Sequence, residues 1–388
     1  MPCRIGQDDA VDSAIRAVVK NKDIALKGYT GPTPASLGPY VKSVESLRIA
    51  MVTREDSLSD SVLMSVALLC VCEALMQSEM FACFAHWAAM STILLSRPLS
   101  WQPSELTRAI LYHIRNQTFH IPVARGQISP FDDPRWYTLE PAGASSLPTE
   151  VARLKLLSNQ LMIRLPRLIL QTRTLRNGAD EIKGKKALAL ATELSNLQDI
   201  DAENKMLHRI KVIKTTNSDD ADFIPFFFEF TNLSDLETAV VYWKSQLILG
   251  RLRLKLKDLF PHYDFDVDEL NTSMERMAIN TMMSHQHARN RQQYAHARGM
   301  VAMPTGWTAV WGLWKDRKTS FRGITVDEWK RFNRDRINES IAIWKFQAGD
   351  KQIDEASDLL AGGPLEGTFV AAFAHIPFWA MNVPSKVR

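Results

Sequence analysis

Three cysteines and a histidine crowd into "LLCVCEALMQSEMFACFAHWAAM" (68–90): Cys70, Cys72, Cys83 and His86. Thiolates and imidazoles are what zinc takes, four at a time and converging tetrahedrally. The surrounding Leu, Val and Ala residues read as helix, where successive side chains turn by about 100°. Cys70 and Cys72 then point roughly 200° apart and do not share an ion. Free cysteine packs as a small hydrophobe, so these residues are expected in a core and no metal site is assigned.

Four other groupings invite chemistry. "DFDVDELNTSME" sets Asp264, Asp266, Asp268 and Glu275 at the calcium-loop positions 1, 3, 5 and 12, but Glu269 replaces the glycine that the turn requires. It reads instead as the acidic start of a helix, stabilised by the helix dipole. "SDDAD" (218–222) resembles the acidic motifs that hold magnesium diphosphate, yet no facing partner motif is present, and a solvated loop is expected. His285, His287 and His296 lie along "HQHARNRQQYAH"; on one helix the first two diverge and the third is about 16 Å away, so a polar, Arg-rich surface is expected. Trp307, Trp311 and Trp314 recur at i, i+4 and i+7, a core stripe. G-x-S-x-G, H-E-x-x-H, P-loop and G-x-G-x-x-G signatures do not occur. No catalytic, cofactor-binding or metal residues are therefore assigned, no cofactor is expected, and the chain reads as a non-enzyme.

The elements that must carry these residues are mostly helices. Apolar periodicity predicts helices at 9–27, 40–53, 60–76 with Asp60 as N-cap, 80–95, and onward from Pro103. Further helices are expected at 149–170, where Pro166 should kink or end the run, and at 183–201, 233–259, 269–294, 307–314 and 326–346. "GYTGPTPASLGP" and the proline-rich 121–148 read as breaks, and "KTTNSDDADFIP" (214–225) as the best later boundary. On 233–259, Leu249, Leu252, Leu256 and Leu259 share a face, while Arg251, Arg253, Lys255 and Lys257 fan across the other sides. An all-α fold is the expectation.

Composition narrows the class. At 388 residues and 46% hydrophobic the chain can bury a sizeable core. A net charge of +4 is too small a surplus to imply nucleic acid, which needs a concentrated basic face. The uncharged stretch 80–96 stops short of the ~20 residues a membrane span needs, so no membrane role is expected. "MPCRIGQDDAVDSAIR" lacks an apolar signal region, and an intracellular, reducing location is expected.

The order of blocks adds a family. "SLRIAMVTREDSLSDSVLMSVALLCVCEAL" resembles the "D-x-L-x-A-x-L-L-L-x-x-Y/F-E" helix of fungal-specific transcription factors through Asp60, Leu63, Leu68, Leu69 and Glu73. "FACFAHWAAMSTILLSRP" is similar to their "H-x-x-G-A-x-x-L-L-x-x-R-G-P" through His86, Ala89, Leu94, Leu95, Arg97 and Pro98, with Ala88 where glycine is usual. In "SELTRAILYHIRNQTFHIPVARGQISPFDDPRW", Arg115 and Trp136 hold the next block's places. The chain thus resembles the regulatory (middle homology) domain of the binuclear zinc cluster regulators, over about 40–345.

The resemblance implies an irregular multi-helix bundle: an N-terminal helix and linker at 1–39, the regulatory domain at 40–348 and a tail at 349–388. It implies transcriptional regulation in a fungus, of a secondary-metabolite or catabolic gene cluster, and a nuclear location that "KGKK" (183–186) does little to support. The family's DNA-reading module needs six cysteines, and only Cys3 precedes residue 70. Direct DNA binding is accordingly not expected; protein partners are, such as a DNA-binding regulator or the transcription machinery, with homo- or hetero-oligomers allowed. Two alternatives stay open: a metal-dependent all-α enzyme using acids near 218–222, and a non-nuclear interaction protein.

Overall fold

Local caps and apolar faces turn this chain into helices. The computed structural model describes residues 6–28, 31–53, 58–76, 80–98, 101–178, 180–216, 218–295, 303–342, 346–368 and 370–371. Helix makes up 73%, with a single two-stranded sheet among the described residues, so the all-α class holds at that level. The chain divides into two compact units, 1–118 with 375–388, and 119–374. Cys3 and His296 lie outside the described residues.

The first unit begins with α1 (Asp9–Leu26), whose start is held by Asp8, the side chain accepting from the Ala10 and Val11 amides. Its Ala10, Val11, Ala14 and Ala17 are fully buried, and small residues let α2 (Pro34–Thr53) and α3 (Asp60–Leu75) pack closely against it. α2 starts a turn and a half earlier than the glycine and proline pattern suggests. Thr33 and Ser36 hydrogen-bond each other's backbone and side chain, nucleating the helix ahead of Gly38-Pro39. α3 is buried on almost every side and packs on α4 (Met80–Leu95). Its N-cap is Ser59, which accepts from the Val62 amide, and not Asp60. The expected loop after residue 120 is still helix: α5 (Glu105–Arg125) runs through Pro122.

The second unit includes a short α6 (Pro134–Tyr137). Its axis is α11 (Leu233–Leu259), buried almost continuously from Asp235 to Leu252. Around it pack α7 (Thr149–Arg176), α8 (Glu181–Ser195) and α12 (Val267–Met283), with α9 (Ile200–Leu207) lying on α7. Pro166 does not end α7, which continues ten residues beyond it. An internal proline costs about 3 kcal/mol; the flanking Met162, Ile163, Leu165, Leu168 and Ile169 are fully buried, and that packing outweighs it. The polar break at 214–225 is a hairpin connection, not a boundary. β1 (Lys211–Lys214) pairs antiparallel with β2 (Phe226–Glu229), Lys211 opposite Glu229, and a single-turn α10 (Ser218–Ala221) lies between them.

The C-terminal part of this unit comprises α13 (His285–Ala295), α14 (Met303–Asp316), α15 (Val326–Ile341) and α16 (Asp350–Leu360), with α14 packed on α11, α15 and α16. Trp307, Trp311 and Trp314 are fully buried along α14, as their spacing predicts, and Trp314 stacks on Trp329 at 4.9 Å between centroids. Arg251 departs from the expected fan of surface cations. It is buried, donating to Asp316 and to the Ser357 carbonyl and hydroxyl. No described helix is long and apolar enough to cross a membrane.

Candidate functional site

The residues of the opening cluster separate once folded. Cys70 and Cys83 face each other across α3 and α4, each Sγ 4.0 Å from the other's carbonyl oxygen. Cys72 points instead toward Ala17 and Met76, and burial pushes its thiol up to about 12. His86 goes to neither. Its Nε2 lies 3.2 Å from the Tyr40 hydroxyl and 3.9 Å from Glu73 Oε1. Burial, then the Glu73 carboxylate, holds the Tyr40 hydroxyl protonated far above the phenol range.

A second polar knot sits at the other end of the same helix pair. Arg97 is buried and its Nη1 meets Asp60 Oδ1 at 3.0 Å. The same guanidinium donates to the Leu58 carbonyl and the Thr107 hydroxyl, and stacks over Trp101 at 4.3 Å. Ser104 donates to Asp60 Oδ2 at 2.5 Å while capping the Thr107 amide at the start of α5. Asp60 therefore ties three helices together. Of the other places in the block order, Arg115 is buried beside Tyr112, and Trp136 is buried against Phe131.

In the second unit, sequence reasoning placed His285 and His287 on a polar surface; both are buried. In the first turn of α13 His285, His287 and Ala288 face inward, while Gln286, Arg289 and Asn290 reach solvent. Trp307 Nε1 donates to His285 Nδ1 at 3.1 Å, and an indole only donates. A neutral His285 must then carry its proton on Nε2, which points at Glu339 Oε2 3.0 Å away. Burial keeps His285 neutral, lowering its pKa against the opposing pull of Glu339. Burial also works against ionising Glu339, but the hydrogen bonds from His285 and Arg336 and the charge of Arg289 prevail, bringing it down to about 2. Arg336 donates to Glu339 at 2.6 Å and also pairs with Asp220. Thr215, Asp220, His285, Trp307 and Arg336 border a cavity of about 20 Å³, room for one water.

The acidic motifs are likewise engaged with protein groups. Asp266 caps α12 by accepting from the Glu269 amide, so the helix begins at Val267, and Glu275 pairs with Arg317. Of "SDDAD", Asp220 is held by Arg336 and Asp222 is exposed, while the Asp219 side chain lies outside the described residues. Among the described residues, no three His, Cys, Asp or Glu side chains are grouped to hold a metal ion. Sequence reasoning missed Glu339, Arg336 and the fully buried Glu203, which accepts from Trp243 Nε1 at 2.7 Å and pairs with Arg276. The available signal was charge on helix faces that also carry Phe332 and Met206. No family model, curated protein or solved structure matches the chain.

Proposed function

We propose that the chain is a helical regulatory region of the fungal zinc cluster type, acting as a transcriptional regulator or co-regulator through protein partners. The observation that carries this is the pairing of the four polar positions behind the resemblance. Asp60 and Glu73 lie roughly 20 Å apart along α3, while His86 is on α4 and Arg97 just past its C-terminal end. Antiparallel packing brings them together as Asp60 with Arg97 and Glu73 with His86. Hydrophobic matches alone arise in any buried helix pair. Four polar positions paired at both ends of one hairpin give those residue types a structural role.

Four cysteines do not make the six-cysteine cluster, so DNA reading is assigned to a partner or to a segment outside these residues. The nucleus is the corresponding location, and a secondary-metabolite or catabolic gene cluster the corresponding target. The test is deletion of the gene with transcript profiling, alongside a fluorescent tag on the native chain. Neighbouring transcripts should change and the tag should concentrate in nuclei. Unchanged transcripts would overturn regulation, and a cytoplasmic tag would favour a non-nuclear interaction protein. The metal-dependent enzyme reading gains no support from Asp220, whose carboxylate is taken by Arg336. A metal-dependent thermal shift abolished by Asp219→Ala with Asp220→Ala would revive it.

A further inference from the structure

The outer face of α2 is apolar where a surface helix should be polar. Ser43, Leu47 and Ala50 point into the unit and are buried. Opposite them, Val41 is 61% exposed, Val44 40%, Ile49 48% and Val52 75%. Glu45 and Arg48, joined at 2.7 Å and themselves more than half exposed, lie between these four, and the exposed Lys42 stands at the margin beside Ile49. The four with Glu45 and Arg48 fall at i, i+3, i+4, i+7, i+8 and i+11, a continuous helical stripe.

This stripe is symmetric about its own middle. Reversing the helix about the height of residues 46–47 exchanges Val41 with Val52, Val44 with Ile49 and Glu45 with Arg48, and at the margins the unlike pair Lys42 and Met51. Two parallel ridges, 41–45–49 and 44–48–52, flank a groove, the arrangement that packs ridges into grooves between crossing helices. We propose that α2 is the homodimer interface of this protein, a second copy packing antiparallel across a two-fold axis at residues 46–47. A two-fold interface must be self-complementary, and here apolar meets apolar while Glu45 of each copy meets Arg48 of the other. An unrelated partner would place no such requirement on the order of residues. One helix face is smaller than the ~800 Å² per partner of a standard interface, so the dimer should dissociate on dilution.

Sedimentation velocity on the full chain at rising micromolar concentrations tests this. A monomer-to-dimer shift is expected in the wild type. Glu45→Arg or Arg48→Glu alone should raise the dimer Kd at least about tenfold, because like charges then face each other across the axis. Mixing those two variant chains should restore the dimer, as a heterodimer, since each supplies the charge that the other lacks. Val41→Lys with Val52→Lys should abolish it, with circular dichroism unchanged because all these side chains are exposed. A wild type that stays monomeric throughout would overturn the interface. So would a dimer indifferent to the valine changes, or variant chains that fail to associate when mixed.

Discussion

His120 and His285 show what burial does to a single side chain. Burial, with the nearby Lys244 charge adding to it, lowers the pKa of His120 to about 3; its Nε2 lies 2.8 Å from the Thr305 hydroxyl. Unfolded, each histidine would take a proton near pH 6.5. The unfolded chain therefore binds more protons below that pH, and stability falls as pH drops from about 6.5 toward 3. Glu339 adds a later loss of the other kind. Its depressed pKa stabilises the fold above about pH 4.3, and that share disappears as pH falls toward 2. The melting temperature should decline from pH 6.5 downward, and His120→Gln, which keeps a partner for Thr305, should flatten the decline between pH 6.5 and 3. An unchanged slope in the variant would count against the neutral buried histidine. Arg336 is the other residue on which this region turns, since it pairs with both Asp220 and Glu339. Arg336→Ala should cost roughly 2 kcal/mol or more in urea unfolding, leaving two partly buried carboxylates without their shared cation.

Elements in this fold are joined at their ends by buried arginines. Arg97 closes α3, α4 and the start of α5 around Asp60, with only 3% of its side chain exposed. Its replacement by alanine leaves Asp60 within a low-dielectric knot and should cost roughly 3–5 kcal/mol. Asp60→Asn should cost less, because the amide oxygen still accepts from Ser104. If chemical denaturation ranked the two the other way round, Arg97 would not be the centre of the joint. Arg251 plays the same part where α11 meets α14 and α16, and Gly312 makes room for it. A Cβ at residue 312 would sit 2.0 Å from Arg251 Nη1, which is fixed by the Ser357 carbonyl and hydroxyl. Gly312→Ala should destabilise by roughly 1–3 kcal/mol despite alanine's better helix propensity, and Arg251→Ala in the same chain should relieve part of that penalty. Independent, additive costs for the two changes would argue against the steric link.

The whole molecule was legible in the sequence as far as apolar periodicity reaches. Helix positions followed from it, and so did the inward Trp307, Trp311 and Trp314, because burial repeats with the helical turn. Proline and glycine were misleading at Pro122, Pro166 and Gly38-Pro39, where tertiary packing or a local cap outweighed a local preference. The hairpin Lys211–Lys214 with Phe226–Glu229 escaped because four-residue strands leave little pattern. Polar joints were the least legible, since Glu339 or Arg251 is charged in sequence and becomes interior only through partners far along the chain. The cysteines were more legible: helix geometry alone sets Cys70 and Cys72 roughly 200° apart, and the structure turns Cys72 toward Ala17 while Cys70 faces Cys83. Their surroundings set a final expectation for the intact protein. Cys72 is fully buried beside Ala17 and Met76 with the Asn21 side chain against its thiol, so Cys72→Ser keeps one polar neighbour and should cost about 1 kcal/mol. A zinc site would behave differently, because structural zinc contributes directly to folding and chelators unfold such proteins. Prolonged EDTA should leave the melting temperature of the wild type unchanged, and elemental analysis should find no stoichiometric zinc to lose in Cys72→Ser. Zinc at one equivalent, with a melting temperature that collapses on chelation, would return the 68–90 stretch to the ligand reading.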